Sequence, residues 1–166
     1  MFTLIPWLRY LHILSAIAFF LGHGTSVAMA FQIRKEKDFA RIRAMLDLSA
    51  STIIMMGIGL LLMGLTGLTM PFILKIWNKG WVWTSIILMV LVVVEMGLMN
   101  EKRYKILRKL VGLSYMQGNK QLPAEPPASQ EEVETHIKNK LRVEELVVVG
   151  LVIPAIVLWL MIFKPF

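Results

Sequence analysis

Two histidines in the first apolar stretch are the residues best suited to chemistry. His12 and His23 are eleven residues apart, which in an α-helix is about three turns, so both side chains point to nearly the same face, ~16 Å apart along the axis. A neutral imidazole can bind haem iron, bind a metal ion or carry a proton. We therefore predict His12 and His23 as ligands of a haem or a metal ion. The alternative is a histidine that is hydrogen-bonded to backbone or to a neighbouring helix.

Two carboxylates lie near the ends of later apolar stretches. Asp47 begins the second stretch, and Glu95 lies among valines and methionines near the end of the third. Ionisable groups at membrane depth are costly and are often functional. His23, Asp47 and Glu95 are predicted to share a polar pocket if their helices converge. For Asp47 the alternative is a helix cap or an ion pair with a basic residue such as Arg43.

Other kinds of chemistry are absent from the sequence. The chain has no cysteine, which excludes disulfides, thiolate nucleophiles and iron–sulfur clusters. It has no P-loop, dinucleotide fingerprint, zinc motif or nucleophile constellation, so no reaction is assigned. Its twelve methionines could bind Cu(I), but they are also ordinary fillers of membrane helices.

Four apolar stretches are long enough to position these residues inside a membrane. The chain has 166 residues, 57% of them hydrophobic and 17% charged, and the charges cluster between the apolar stretches. A helix of about 20 apolar residues crosses a bilayer. We therefore predict an all-α, four-helix transmembrane bundle in a single domain, residues 1–166. The predicted spans are about 6–32, 45–67, 81–100 and 146–163.

Lysine and arginine predict the orientation of the bundle. Fourteen of the 18 basic residues lie in the connections between spans one and two and between spans three and four. The positive-inside rule then places both connections in the cytoplasm and both termini outside. We expect a multi-pass protein of the inner cell membrane whose basic residues meet anionic lipid headgroups. Because those headgroups account for the net charge of +7, no nucleic-acid partner is expected.

The long connection, residues 101–145, is predicted to form a cytoplasmic helical hairpin. Its first arm continues span three, a flexible proline-rich tip covers 119–130, and Ser129 with Glu132 forms a capping box. A second helix should begin near Gln130, carry Val133, Ile137 and Leu141 on one side, and run into span four.

The first span resembles a known group of membrane proteins. Residues Tyr10 to Gly22 read YLHILSAIAFFLG, with Leu-His near the start of the span and an aromatic residue and a glycine one or two turns later. This resembles a small, uncharacterised four-helix family of bacterial integral-membrane proteins, and more distantly the copper-resistance D type and the haem-containing protoporphyrinogen-oxidase type. The motif covers thirteen residues, and the four-helix topology covers most of the chain. In the haem-containing type, the ligand position corresponds to His12.

Three functions are consistent with these features. The first is a redox-linked membrane protein that binds haem b through His12 or His23. The second is an accessory or assembly subunit of a larger membrane complex, and the third is a small proton, ion or copper transporter that uses His23, Asp47 and Glu95. The remaining histidine, His136, lies in the hairpin. A haem would therefore need a methionine as second ligand, or a homo-oligomer that supplies the same histidine twice.

Overall fold

The computed structural model describes residues 4–118 and 120–166, without the side chains of residues 100 and 101. The chain is mostly helical, as predicted. Four helices, in order along the first part of the chain, are α1 (Leu4–Ile33), α2 (Phe39–Ser51), α3 (Ile53–Leu74) and α4 (Gly80–Met99). Four shorter helices follow: α5 (Lys105–Leu110), α6 (Gln130–Lys140), α7 (Val143–Val147) and α8 (Ile153–Phe163).

Two short π-helical turns and one β-hairpin complete the secondary structure of the described residues. The first turn, π1 (Asn100–Tyr104), joins α4 to α5, and the second, π2 (Val148–Val152), joins α7 to α8. Strands β1 (Tyr115–Gln117) and β2 (Lys120–Leu122) pair antiparallel, with Tyr115 opposite Leu122. The all-α prediction missed this hairpin because each strand has only three residues.

Four helical segments are long and apolar enough to cross a membrane, which confirms the predicted number. They cover Leu4–Ile33, Phe39–Leu74, Gly80–Leu110 and Val143–Phe163, and each contains one predicted span. The second segment is interrupted only at Thr52, between α2 and α3. Most of the apolar side chains in these segments are exposed, as expected of helices whose solvent is lipid.

The segments pack as two pairs that meet at one end of the molecule. Helix α1 lies along α3, α4 lies along α8, and α1 also contacts α7 and π2. The first pair is close because residue 59 is glycine: a Cβ there would lie 2.9 Å from the backbone nitrogen of Phe19 and from the carbonyl oxygen of Ser15. Small residues permit such close approach of helices in membranes.

A hydrophobic cluster, which we call the cap, holds the two basic connections together. Its buried members are Ile33, Ile42, Leu46, Leu107, Val111, Val133, Ile137 and Leu141. The three residues predicted to line α6 are all among them, and the Ser129 hydroxyl accepts a hydrogen bond from the Glu132 N–H at 3.3 Å, as predicted. The cap fixes the end of the molecule at which α1, α2 and α5 meet.

The long connection differs from the predicted hairpin in two places. Helix α6 does not run into span four, because it ends at Lys140 and α7 starts anew at Val143. The proline-rich tip is docked on the cap. Ala128 donates its N–H to the Leu110 carbonyl at 2.9 Å, and Glu125 accepts a hydrogen bond from the Tyr115 hydroxyl at 2.6 Å. That bond helps to hold the pKa of Glu125 below its usual value.

Ion pairs tie the start of α7 to the neighbouring helices. Glu144 pairs with Arg34 at the end of α1, at 2.5 Å. Glu145 pairs with Arg103 of π1 and, at 3.0 Å, with Arg142. The Arg103 side chain is only 18% exposed, so its pairing contributes more than a surface ion pair would.

Replacement of Glu145 with alanine should destabilise this end of the molecule. Arg103 would lose its carboxylate partner while remaining largely enclosed, which should lower the free energy of unfolding by about 1–3 kcal/mol. Thermal unfolding in detergent measures the change. Glu131→Ala is the matched control, because Glu131 is exposed on α6 and has no ion pair among the described residues. An equal loss of stability in both variants would contradict the prediction.

Candidate functional site

His12 is held by helix α3 through one ring nitrogen. Its Nδ1 lies 3.0 Å from the Met63 carbonyl oxygen and 2.9 Å from the Thr66 hydroxyl oxygen. A carbonyl oxygen only accepts, and the Thr66 hydroxyl donates to the Leu62 carbonyl at 2.7 Å. Nδ1 must therefore carry the hydrogen, and in a neutral ring Nε2 then carries the lone pair.

The environment of His12 leaves that lone pair available. The side chain is half-buried, and its Cε1 edge rests on Gly67, where an added Cβ would lie 3.0 Å away. Histidines that bind metals usually donate the other ring N–H to a carbonyl or carboxylate, which fixes the ring and makes the free nitrogen more basic. The alternative of a backbone-bonded histidine describes Nδ1, and the same bond leaves Nε2 as the nitrogen with the lone pair.

His23 has a different environment. Its side chain is 4% exposed, and neither ring nitrogen has a hydrogen-bond partner among the described residues. The backbone of Leu146 interacts with the ring without reaching hydrogen-bond geometry. Buried polar groups are nearly always paired in native proteins, so His23 is an exception that the sequence did not reveal.

The His23 ring fills a slot between α1 and π2. It stacks on the Phe19 ring, with centroids 6.0 Å apart and an angle of 4° between the planes. On the other side lies Gly150, where any Cβ would overlap the His23 ring. Pro154 follows Gly150 by four residues, and π turns inside helices often mark functional sites. Gly150 is therefore a site residue that reading the sequence missed, although a glycine four residues before a proline was a visible signal.

The two histidines do not form one site. His12 rests against α3, whereas His23 rests against π2 and α7, although both lie on α1. A haem bound at one histidine would therefore not use the other as its second ligand.

The two predicted carboxylates have different surroundings, and their shared pocket with His23 stays a prediction. Asp47 forms an ion pair with Arg108 at 2.8 Å, and its side chain is 57% exposed. This is the predicted ion-pair alternative, with Arg108 rather than Arg43 as the partner. Glu95 is half-buried and forms no hydrogen bond or ion pair within residues 4–118 and 120–166. No group of three or more His, Asp or Glu side chains in that part of the chain is arranged to hold a metal ion.

A hydroxyl network between α1 and the α2–α3 junction was not predicted as such. Ser49 donates to Ser26 at 2.9 Å, and the Thr52 hydroxyl lies 3.3 Å from the Gly22 carbonyl oxygen. Hydroxyls commonly bridge helices in membranes. The network fixes α1 against the second segment within one turn of His23.

Comparison with known proteins adds no relative. No protein-family model, no curated protein and no solved structure matches this chain. The resemblance carried by residues 10–22 therefore stays a prediction, and the functional argument depends on the geometry of the two histidines.

Proposed function

We propose that this chain is a membrane protein that binds haem b, with Nε2 of His12 as an iron ligand, in a redox-linked role. The observation that carries the proposal is the bond from His12 Nδ1 to the Met63 carbonyl, at 3.0 Å. That bond selects the tautomer whose Nε2 can bind iron, and it sets the orientation of the ring. When bound, haem supplies one-electron chemistry, with a potential that depends on its axial ligands and hydrogen bonding.

The chain offers donor groups of the right kind around His12. Arg9 lies three residues before His12 on the same face of α1, and it is exposed. A guanidinium at that place suits a carboxylate such as a haem propionate. Gly67 makes room for the imidazole itself, because a Cβ at residue 67 would lie 3.0 Å from Cε1 of His12. A second axial ligand would be a methionine thioether or His12 of a second copy in a homo-oligomer.

His23 fits a haem poorly. Phe19 covers one face of its ring and Gly150 lies against its edge, so the slot has room for the imidazole and not for a macrocycle. The geometry therefore favours His12 over His23 as the ligand, a choice that the spacing of the two residues left open.

The proposed topology follows the distribution of basic residues. The cap joins the two connections that hold most of the lysine and arginine, so both lie at one end of the molecule. The Trp81 N–H lies 3.4 Å from the Phe166 carbonyl oxygen at the other end. We place the cap in the cytoplasm of a cell with an inner membrane, against anionic headgroups, and both termini outside.

Visible spectroscopy tests the proposal. The protein should be purified from membranes of a haem-replete host and titrated with hemin, and spectra recorded before and after reduction with dithionite. We expect a Soret band that shifts on reduction, together with a sharp α-band. A folded protein that shows no Soret band and does not bind added hemin would overturn the proposal.

A further inference from the structure

The slot around His23 is short of hydrogen-bond donors. Pro154 has no N–H, so π2 and the start of α8 have one donor fewer than a regular helix. In α-helical register, an N–H at residue 154 would donate to the Gly150 carbonyl. In π-helical register, which Ile153 adopts when it donates to the Val148 carbonyl, it would donate to the Val149 carbonyl. The carbonyl of Gly150 or of Val149 therefore lacks that helical donor, and a carbonyl only accepts hydrogen bonds.

A neutral histidine in this slot cannot form hydrogen bonds through both ring nitrogens. A neutral imidazole has one N–H donor and one nitrogen lone pair, and the lone pair needs a donor that the slot does not supply. An imidazolium has two N–H donors and no lone pair, so its hydrogen-bonding needs match an acceptor-only site. Both ring nitrogens of His23 are unpaired, so the lone pair of a neutral ring has no donor among the described residues.

We propose that the slot around His23 is a proton-binding site, separate from the haem site and independent of it. The lone-pair nitrogen of neutral His23 takes up one proton, and the ring becomes an imidazolium. Its two N–H groups then donate to the Leu146 carbonyl and to a carbonyl of π2, which requires a small movement of the ring against α8. Proton binding thereby couples α1 to the position of α8.

No charged group on the surrounding elements forms a hydrogen bond with the His23 ring among the described residues. On α7, Glu144 and Glu145 are engaged by Arg34, Arg103 and Arg142. Helix α4, which packs on Leu146 and Val149 through Val92 and Met99, has Glu95 as its one ionisable residue. Helices α3 and α8 contain no ionisable residue, and each is followed directly by a lysine, Lys75 or Lys164. Glu95 is therefore the carboxylate on these elements that no arginine engages among the described residues.

Nuclear magnetic resonance of the full chain tests the proposal directly. The protein is labelled with 15N at its three histidines, placed in lipid nanodiscs and titrated between about pH 5 and pH 8, where histidine charge changes in proteins. His23→Gln and His136→Gln assign the signals by their loss. We expect His23 to pass from a neutral tautomer to a form with both nitrogens protonated. A single neutral tautomer throughout the range in which the protein stays folded would overturn the proposal.

A second variant tests the physical cause. Pro154→Ala restores the missing N–H, which would occupy one of the carbonyls, so His23 should bind a smaller fraction of a proton than the unmodified chain at the same pH. Ile156→Ala is the matched control on an exposed face of α8, and it should leave the titration unchanged. Equal proton uptake in Pro154→Ala and in the unmodified chain would contradict the role of the carbonyls. Because His12 is unchanged in both variants, loss of haem and loss of proton binding remain distinguishable.

Discussion

Replacement of His12 with alanine should abolish the Soret band while the helices remain folded. The substitution removes the one imidazole whose tautomer is fixed by α3, through Met63 and Thr66. Methionine alone is a poor substitute as sole strong ligand, so we expect haem content to fall at least tenfold, which corresponds to about 1.4 kcal/mol or more of binding free energy. The measurement is haem per protein from the reduced spectrum after purification.

Three controls separate ligand loss from misfolding. His136→Ala removes a histidine that lies outside the four spans and bonds the Arg103 carbonyl at 3.1 Å, and it should keep the haem. His23→Gln should also keep it. Addition of free imidazole to His12→Gly should restore the band, because the small ligand can occupy the place of the side chain. A band that survives in folded His12→Ala and disappears in His23→Gln would move the site to His23.

Replacement of Gly59 with leucine should separate α1 from α3. An added Cβ would lie 2.9 Å from backbone atoms of Ser15 and Phe19, and backbone in a helix cannot rotate away as a side chain can. Overpacking of a close contact typically costs 1–3 kcal/mol, occasionally more, and leucine adds further atoms to the same gap. We expect a large fall in the midpoint of thermal unfolding in detergent. Haem retention should fall as well, since Met63 follows Gly59 by one helical turn.

Gly64 provides a matched control on the same helix. A Cβ at residue 64 meets nothing within 4 Å, so Gly64→Leu adds an identical side chain towards lipid. That variant should retain the stability of the unmodified chain to within about 0.5 kcal/mol. If the two leucine variants unfolded at the same temperature, the close α1–α3 contact would not contribute to stability in the way argued here.

The apolar stretches and the local patterns were readable from the sequence. The four segments, the cap residues Val133, Ile137 and Leu141, and the bond from Glu132 to Ser129 all depend on composition, helical periodicity or neighbours three residues apart. The break between α6 and α7 was not readable, because Leu141 continues the apolar stripe of α6 and is buried in the cap, although its backbone is no longer helical. The docked tip likewise depends on contacts of Glu125 with the Tyr115 hydroxyl and, at 3.4 Å, with the Lys109 ammonium group, which precede it in the chain by ten residues or more.

The sequence by itself determined which residues could do chemistry, and the tertiary structure decided what each can do. Helical spacing placed His12 and His23 on one face of α1 and did not distinguish them as ligands. Only packing distinguishes them: α3 fixes the tautomer of His12, whereas Phe19, Gly150 and the turn before Pro154 enclose His23 without donors. The reason is physical. The hydrogen-bond partners of His12 come from a helix more than 50 residues away, and the walls around His23 come largely from π2. One helix's sequence cannot specify what a neighbouring helix presents to it.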